Sequence, residues 1–157
     1  MKKPYEIKNP KDVEKEMKKI TDGIGMPIDK KMLRPSVILN SLDFVTSGSC
    51  EGHNKRYFTY PWIDIDFPIP NNNLDEAREI FFETLYKDLE EFYENRRVNH
   101  EDVISFQEIK GRLLTIRLSS NCNIKILNSN RNKKIKDQLQ EILDFCEFLN
   151  KKYNLNY

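Results

Sequence analysis

P-W-I-D-I-D-F, residues 61–67, alternates without a break: Trp62, Asp64 and Asp66 fall on one side, Ile63, Ile65 and Phe67 on the other. A period of two with one apolar side is the pattern of a strand half buried against a core. Extended backwards through its aromatic and β-branched neighbours, the strand is read over Tyr57 to Phe67, with Pro61 implying an edge or a bulge. A sheet with one apolar face needs a covering layer, and the flanking sequence supplies helices.

Downstream, Pro68, Pro70 and Asn71 to Asn73 end the strand. Asn73 followed by Glu76 resembles a capping box and opens a helix expected to reach about Arg97. Its core stripe is Ala77, Phe81, Leu85, Leu89 and Phe92, helped by Ile80 and Tyr93. Two alternating runs follow, Val103 to Glu108 and Arg112 to Leu118. A three-residue loop, Ile109-Lys110-Gly111, is preferred to a two-residue turn because Gly111 then takes the left-handed bulge position. That register pairs Phe106 with Leu114, Ile104 with Ile116 and Glu108 with Arg112. Ser119 to Asn123 is read as a turn and Ile124 to Leu127 as a short strand. A last helix over Arg131 to Tyr153 carries Ile135, Leu139, Ile142, Cys146, Leu149 and Tyr153 on one side, so Cys146 belongs to the core.

Upstream, Phe44-Val45-Thr46 begins another strand. Before it, Val37, Ile38 and Leu42 form the stripe of a helix expected to start near Arg34, which leaves Pro35 in the tolerated first turn. Lys11 to Ile20 is a thin-faced surface helix broken by Gly23 and Gly25, with Pro27 extending the connection. The expectation is one α+β domain over 1–157, a small mixed or antiparallel sheet packed against helices. Residues 1–26 form an N-terminal helix and linker, and 27–157 the core.

Length and composition fit that reading, since 157 residues can bury a real core and 11% aromatic content offsets an apolar share of only 38%. A net charge of +1 gives no global electrostatic case for nucleic acid. Three cysteines without a CxxC pair favour a reducing, cytoplasmic compartment. No apolar run approaches membrane-spanning length, so no membrane partner is expected.

Function is sought where rare residue types gather. T-S-G-S-C-E-G-H at 46–53 and the strand at 61–66 together hold Cys50, His53 and the only tryptophan. Read as a strand-end loop, the first offers backbone N–H groups, two glycines and the hydroxyls of Ser47 and Ser49 for a polar ligand. Ser47, Ser49, Gly52, Trp62, Asp64 and Asp66 are the candidate ligand contacts, with Trp62 as a stacking surface for a nucleotide-like ring. A thiol beside Gly52 and His53 is also how a nucleophile is presented, with Cys50, His53 and Glu51 as candidate catalytic groups. Cys50-x-x-His53 has zinc-compatible spacing, and Cys50, His53 and Asp64 would make a three-ligand site, but with no second matching pair no metal or cofactor is assigned.

G-M-P-I-D at 25–29, T-S-G-S-C-E-G-H at 46–53 and P-W-I-D-I at 61–65 resemble the signature of an uncharacterised family of small bacterial and phage proteins. That signature runs G-M-P-[VI]-D, T-x-x-S-C-E-G-H, P-W-[VI]-[DE], and F-C-E-F-L-N-K-K-Y at 145–153 is similar to the family's ending. A fainter similarity links the central loop to T-[ST]-S-C-S-G-R of the wybutosine-synthesis methyltransferases of the third pathway step. Glu51 and His53 here stand for that serine and arginine. What these resemblances imply is that the SCEGH segment is a site. The expected function is recognition of a small polar, nucleotide-like ligand, to sequester or modify it, in a pocket shared by the loop and the Trp62-Asp64-Asp66 face. The alternatives are a Cys/His- or metal-dependent enzyme and a phage-type module that inhibits a host protein.

Overall fold

Residues 62–66 form an inner strand of a four-stranded antiparallel sheet, and helices pack on its apolar face. The computed structural model describes residues 6–53, 59–67, 69–110, 114–120 and 130–157. Its strands are β1 (Val45–Cys50), β2 (Trp62–Asp66), β3 (Ile104–Glu108) and β4 (Thr115–Ser120), in the order β1-β2-β4-β3. The helices are α1 (Pro10–Met17), α2 (Lys30–Ser41), α3 (Leu74–Phe81), α4 (Lys87–Tyr93) and α5 (Arg131–Lys152). The fold is α+β.

Register sorts the sheet into two faces. Ile63 faces Leu118 and Ile65 faces Ile116, while Trp62 faces Ser119 and Asp64 faces Arg117. Ile63, Ile65, Ile104, Ile116 and Leu118 join one buried cluster with Met32, Ile38 and Leu39 of α2 and Ile142, Phe145 and Leu149 of α5. The alternation of 61–67 therefore separates core from polar face as its pattern implied. The core also holds aromatic edges, with Phe81 at 90° to Phe106 and their centroids 5.1 Å apart. Beneath α4 a buried Glu141 accepts from Arg96 and from the Tyr93 hydroxyl, which in turn accepts from Ile104 N–H at 2.9 Å. That chain joins α4, α5 and β3.

Several expectations need correcting, and Ser119 and Ser120, read as the start of a turn, belong to β4, where they pair with Ser105 and Ile104. The β3–β4 register pairs Phe106 with Leu118, Ile104 with Ser120 and Glu108 with Ile116, and Ile109 N–H donates to Thr115 O. The strands are thus slid by four residues from the three-residue-loop pairing, and the loop is longer. An even slide keeps every side chain on its face, so hydrophobic patterning cannot detect it. Second, α2 begins at Lys30, not near Arg34, and Pro35 lies inside it. A proline inside a helix costs about 3 kcal/mol through the lost bond to Lys31 O and the ring's clash with that carbonyl, and the complete burial of Met32, worth ~1.5–3 kcal/mol, offsets much of it.

Third, the strand read over Tyr57 to Phe67 runs over Trp62–Asp66, with Thr59 making an isolated bridge to His53, while Tyr57 and Phe58 lie outside the described residues. Fourth, the helix opened by Asn73 ends at Tyr93 and contains a π-turn over Phe82–Tyr86. Asn73 Oδ1 does accept from Glu76 N–H, at 3.2 Å. The stripe at 77, 81, 85 and 89 has a spacing of four, which drifts by about 40° per step on a plain α-helix. A wider turn absorbs part of that drift. The Thr84 hydroxyl donates to Ile80 O at 2.5 Å within the widened turn. Ile124 to Leu127, and Gly111 and Arg112 of the hairpin loop, lie outside the described residues.

Candidate functional site

Beside β1, an edge strand, runs a groove of about 640 Å³. One wall is the connection between α1 and α2, from Met17 to Asp29, and the other is Thr46 to Cys50 with His53 and Trp62. All three motifs of the resemblance thus contribute to one cavity. The α1–α2 connection is folded tightly: Asp22 Oδ1 accepts from Ile24 and Met26 N–H at 2.9 and 2.8 Å, and Thr21 bridges Pro27. This presents Ile20, Ile24 and Met26 to the outside as exposed apolar groups.

The end of β1 is built around backbone donors. Strand structure continues through Cys50, so Ser47 to Cys50 are not the loop expected from their glycine and serine content. Cys50 pairs with Trp62, Ser49 with Ile63 and Gly48 with Asp64, and a bulge falls at Ser47. Beyond the strand, Glu51 N–H donates to Asp29 Oδ2 at 3.0 Å, Gly52 N–H to Cys50 Sγ at 3.4 Å and His53 N–H to Thr59 O at 3.0 Å. The three loop N–H groups therefore serve protein acceptors and do not form an open anion cradle. Lys31 N–H, in the first turn of α2, donates in turn to Glu51 Oε2 at 3.4 Å.

Gly52 is fixed by space. Its φ is +89°, and a Cβ there would stand 2.7 Å from Ile135 Cγ2 and 3.0 Å from Pro61 Cδ. Gly48 is fixed by the indole, since a Cβ would meet Trp62 Cζ3 at 3.2 Å. The Arg117 guanidinium lies over the Trp62 ring, 4.1 Å from its centroid, and forks onto Asp64 at 2.7 and 3.0 Å. Trp62 thus has Arg117 over its ring and Gly48 close to its six-membered edge, and it lines the groove half-buried. Asp64 is buried under this stack, and Asp66 accepts from the Thr115 hydroxyl at 2.5 Å.

The structure brings Ser47, Ser49, Cys50, His53 and Trp62 together on the groove. Cys50 and Asp64 share a sheet face, but Asp64, Asp66, Glu51 and Gly52 are not part of the groove's lining. Two residues that carry the site escaped sequence reasoning. Asp29, which the sequence shows only as the end of G-M-P-I-D, turns its carboxylate to the Cys50–His53 loop, and ligand atoms of Asp29, Cys50 and His53 all lie within 4.8 Å of one another. Arg117 could have been found from its polar position between Ile116 and Leu118, had the strand order been known. Cys122 lies outside the described residues, and His100 starts a short turn before β3.

Burial pushes the Cys50 thiol above its ordinary range. The Gly52 N–H and Arg117 pull the other way, and the Asp29 and Glu51 carboxylates add to the rise. Protonated sulfur at neutral pH is a poor nucleophile. Burial also pushes up the Cys146 thiol, inside α5. No family model, curated protein or solved structure matches this chain. Among the described residues no helix is long and apolar enough to cross a membrane.

Proposed function

We propose that the protein binds a small polar ligand in the groove beside β1, with Ser47, Ser49 and His53 as polar contacts and Met17, Ile20, Met26 and Ile28 as an apolar wall. The observation that carries this reading is the convergence of three sequence-distant segments, 26–29, 46–53 and Trp62, on one cavity. A mixed wall with a few placed polar groups is the usual make-up of a small-molecule site. The raised thiol favours recognition over covalent catalysis by Cys50. With Arg117 already over the Trp62 ring, a nucleotide-like ligand would bind chiefly by hydrogen bonding and contact with the apolar wall.

Thermal-shift screening against nucleotides, nucleosides and small organic acids tests the reading, backed by fragment soaking of crystals. A ligand at one hundred times its Kd stabilises by about 2.7 kcal/mol, an easily read shift. The expected result is stabilisation that is lost in Met26→Asp, a change at an exposed lining position, and retained in Phe82→Ala on the far helix. Fragments that occupy other surfaces and never this groove refute it. A tight protein partner in pull-downs, with no small-molecule stabilisation, supports the interaction-module reading instead.

A further inference from the structure

We propose that Asp29, Cys50 and His53 form a three-ligand site for a divalent transition-metal ion of the zinc class, with its open position on the groove. Metal binding by this trio requires no organic ligand in the groove. One carboxylate, one thiol and one imidazole are the donor types that zinc accepts, and three protein ligands are the number that an open site uses. Ligand bonds of about 2.0–2.3 Å put tetrahedral donor atoms roughly 3.3–3.8 Å apart. The donor atoms here lie within 4.8 Å of one another, so a modest closure suffices. His53 is exposed and Asp29 half-buried, so their side chains have room to turn.

The surroundings of these donors are what distinguish the trio from a chance cluster. Each ligand is held by a group that does not itself reach the ion. Glu51 N–H fixes the Asp29 carboxylate at 3.0 Å, and Gly52 N–H points at Cys50 Sγ at 3.4 Å. Paired backbone bonds of 3.0 and 3.1 Å between His53 and Thr59 hold the third position. Such outer contacts orient ligands and tune the metal. N–H donation to sulfur suits a metal thiolate, and the neighbouring carboxylates, Asp29 and Glu51, supply negative charge that a dication offsets. On binding, a sulfur–metal bond forms, the S–H bond breaks and its proton passes to solvent.

The experiment is titration of chelator-stripped protein with Co²⁺, followed by displacement with Zn²⁺. The expected result is one equivalent bound, a near-ultraviolet thiolate-to-cobalt charge-transfer band, visible bands of tetrahedral intensity and loss of all of these on adding zinc. Cys50→Ser should abolish the charge-transfer band, while Cys122→Ser should retain it. His53→Ala should weaken binding about tenfold or more, as should Asp29→Asn, which still offers Glu51 N–H an acceptor. Circular dichroism of each variant separates lost ligation from lost folding. No charge-transfer band in the wild type, or a band that survives Cys50→Ser, overturns the assignment.

Discussion

Replacing Gly52 by alanine tests how tightly the loop after β1 is locked to the rest of the fold. The left-handed backbone costs an L-residue about 1–2 kcal/mol. The added methyl then meets Ile135 Cγ2 at 2.7 Å and the Pro61 ring at 3.0 and 3.1 Å, both stiff groups. Overpacking of that kind costs about 1–3 kcal/mol. The sum is roughly 2–5 kcal/mol, or about 4–20 °C in Tm for a chain of this size. Urea unfolding followed by the single tryptophan gives the measurement. Ile135→Ala removes Cγ2, so the double variant should be less destabilised than the sum of the singles, by about 1 kcal/mol. Gly23, where an added methyl would meet nothing within 4 Å and φ is not left-handed, is the control and should accept alanine without loss. A Gly52→Ala change within ~0.5 kcal/mol of wild type, or strict additivity with Ile135→Ala, refutes the reasoning.

Removing Asp64 strands Arg117 beside Trp62, so Asp64→Ala should lower stability by about 1–3 kcal/mol and shift tryptophan emission; unchanged emission would show that the stack does not depend on the ion pair. In metal-free protein, iodoacetamide should label Cys50 slowly at neutral pH, with a rate that climbs only above the ordinary thiol value near ~8.5. His53→Ala should leave that rate unchanged, and a slower rate in the variant would restore an activated thiol. Cys146 predicts alkaline weakening, because burial raises its folded pKa and the unfolded chain loses its proton first. Its contribution is whole below ~8.5 and declines as pH rises past that value, by up to ~1.4 kcal/mol per pH unit. Urea midpoints between neutral and alkaline pH should fall less steeply in Cys146→Ala, and parallel slopes would reject the account.

Much of the architecture could be read from local pattern. The two-residue period at 61–67 separated the core side from the polar side, Asn73 capped its helix, and Cys146 sat in the stripe of α5. What stayed hidden is non-local. A four-residue slide of β3 on β4 changes no side chain's face, and a proline that looks like a helix breaker sits inside α2, where Met32 is fully buried. At the site, Cys50, His53, Trp62 and the two serines stood out as rare types close in sequence. Asp29 did not, because only the meeting of the α2 N-terminus with the end of β1 brings it there. The glycine-rich run looked like a loop because composition cannot show that the Trp62 ring leaves little room for a side chain at position 48.

The π-turn between α3 and α4 has a consequence for chain length. A wide turn of this kind holds one residue more than the same stretch of α-helix, while the segments on either side keep their rotational setting. Glu83 within it is exposed and pairs with the neighbouring Lys87, one turn along the same helix. Deleting Glu83 would therefore convert the turn to plain α-helix and leave Phe81 and Leu89 seated in the core. Deleting Glu79 or Glu90 has no such slack to draw on. It would rotate one half of the helix by about 100° against the other and carry Leu89 or Tyr93 out of place. A one-residue deletion is thus mild at one position and severe a few residues away, with nothing in the local polarity to mark the difference.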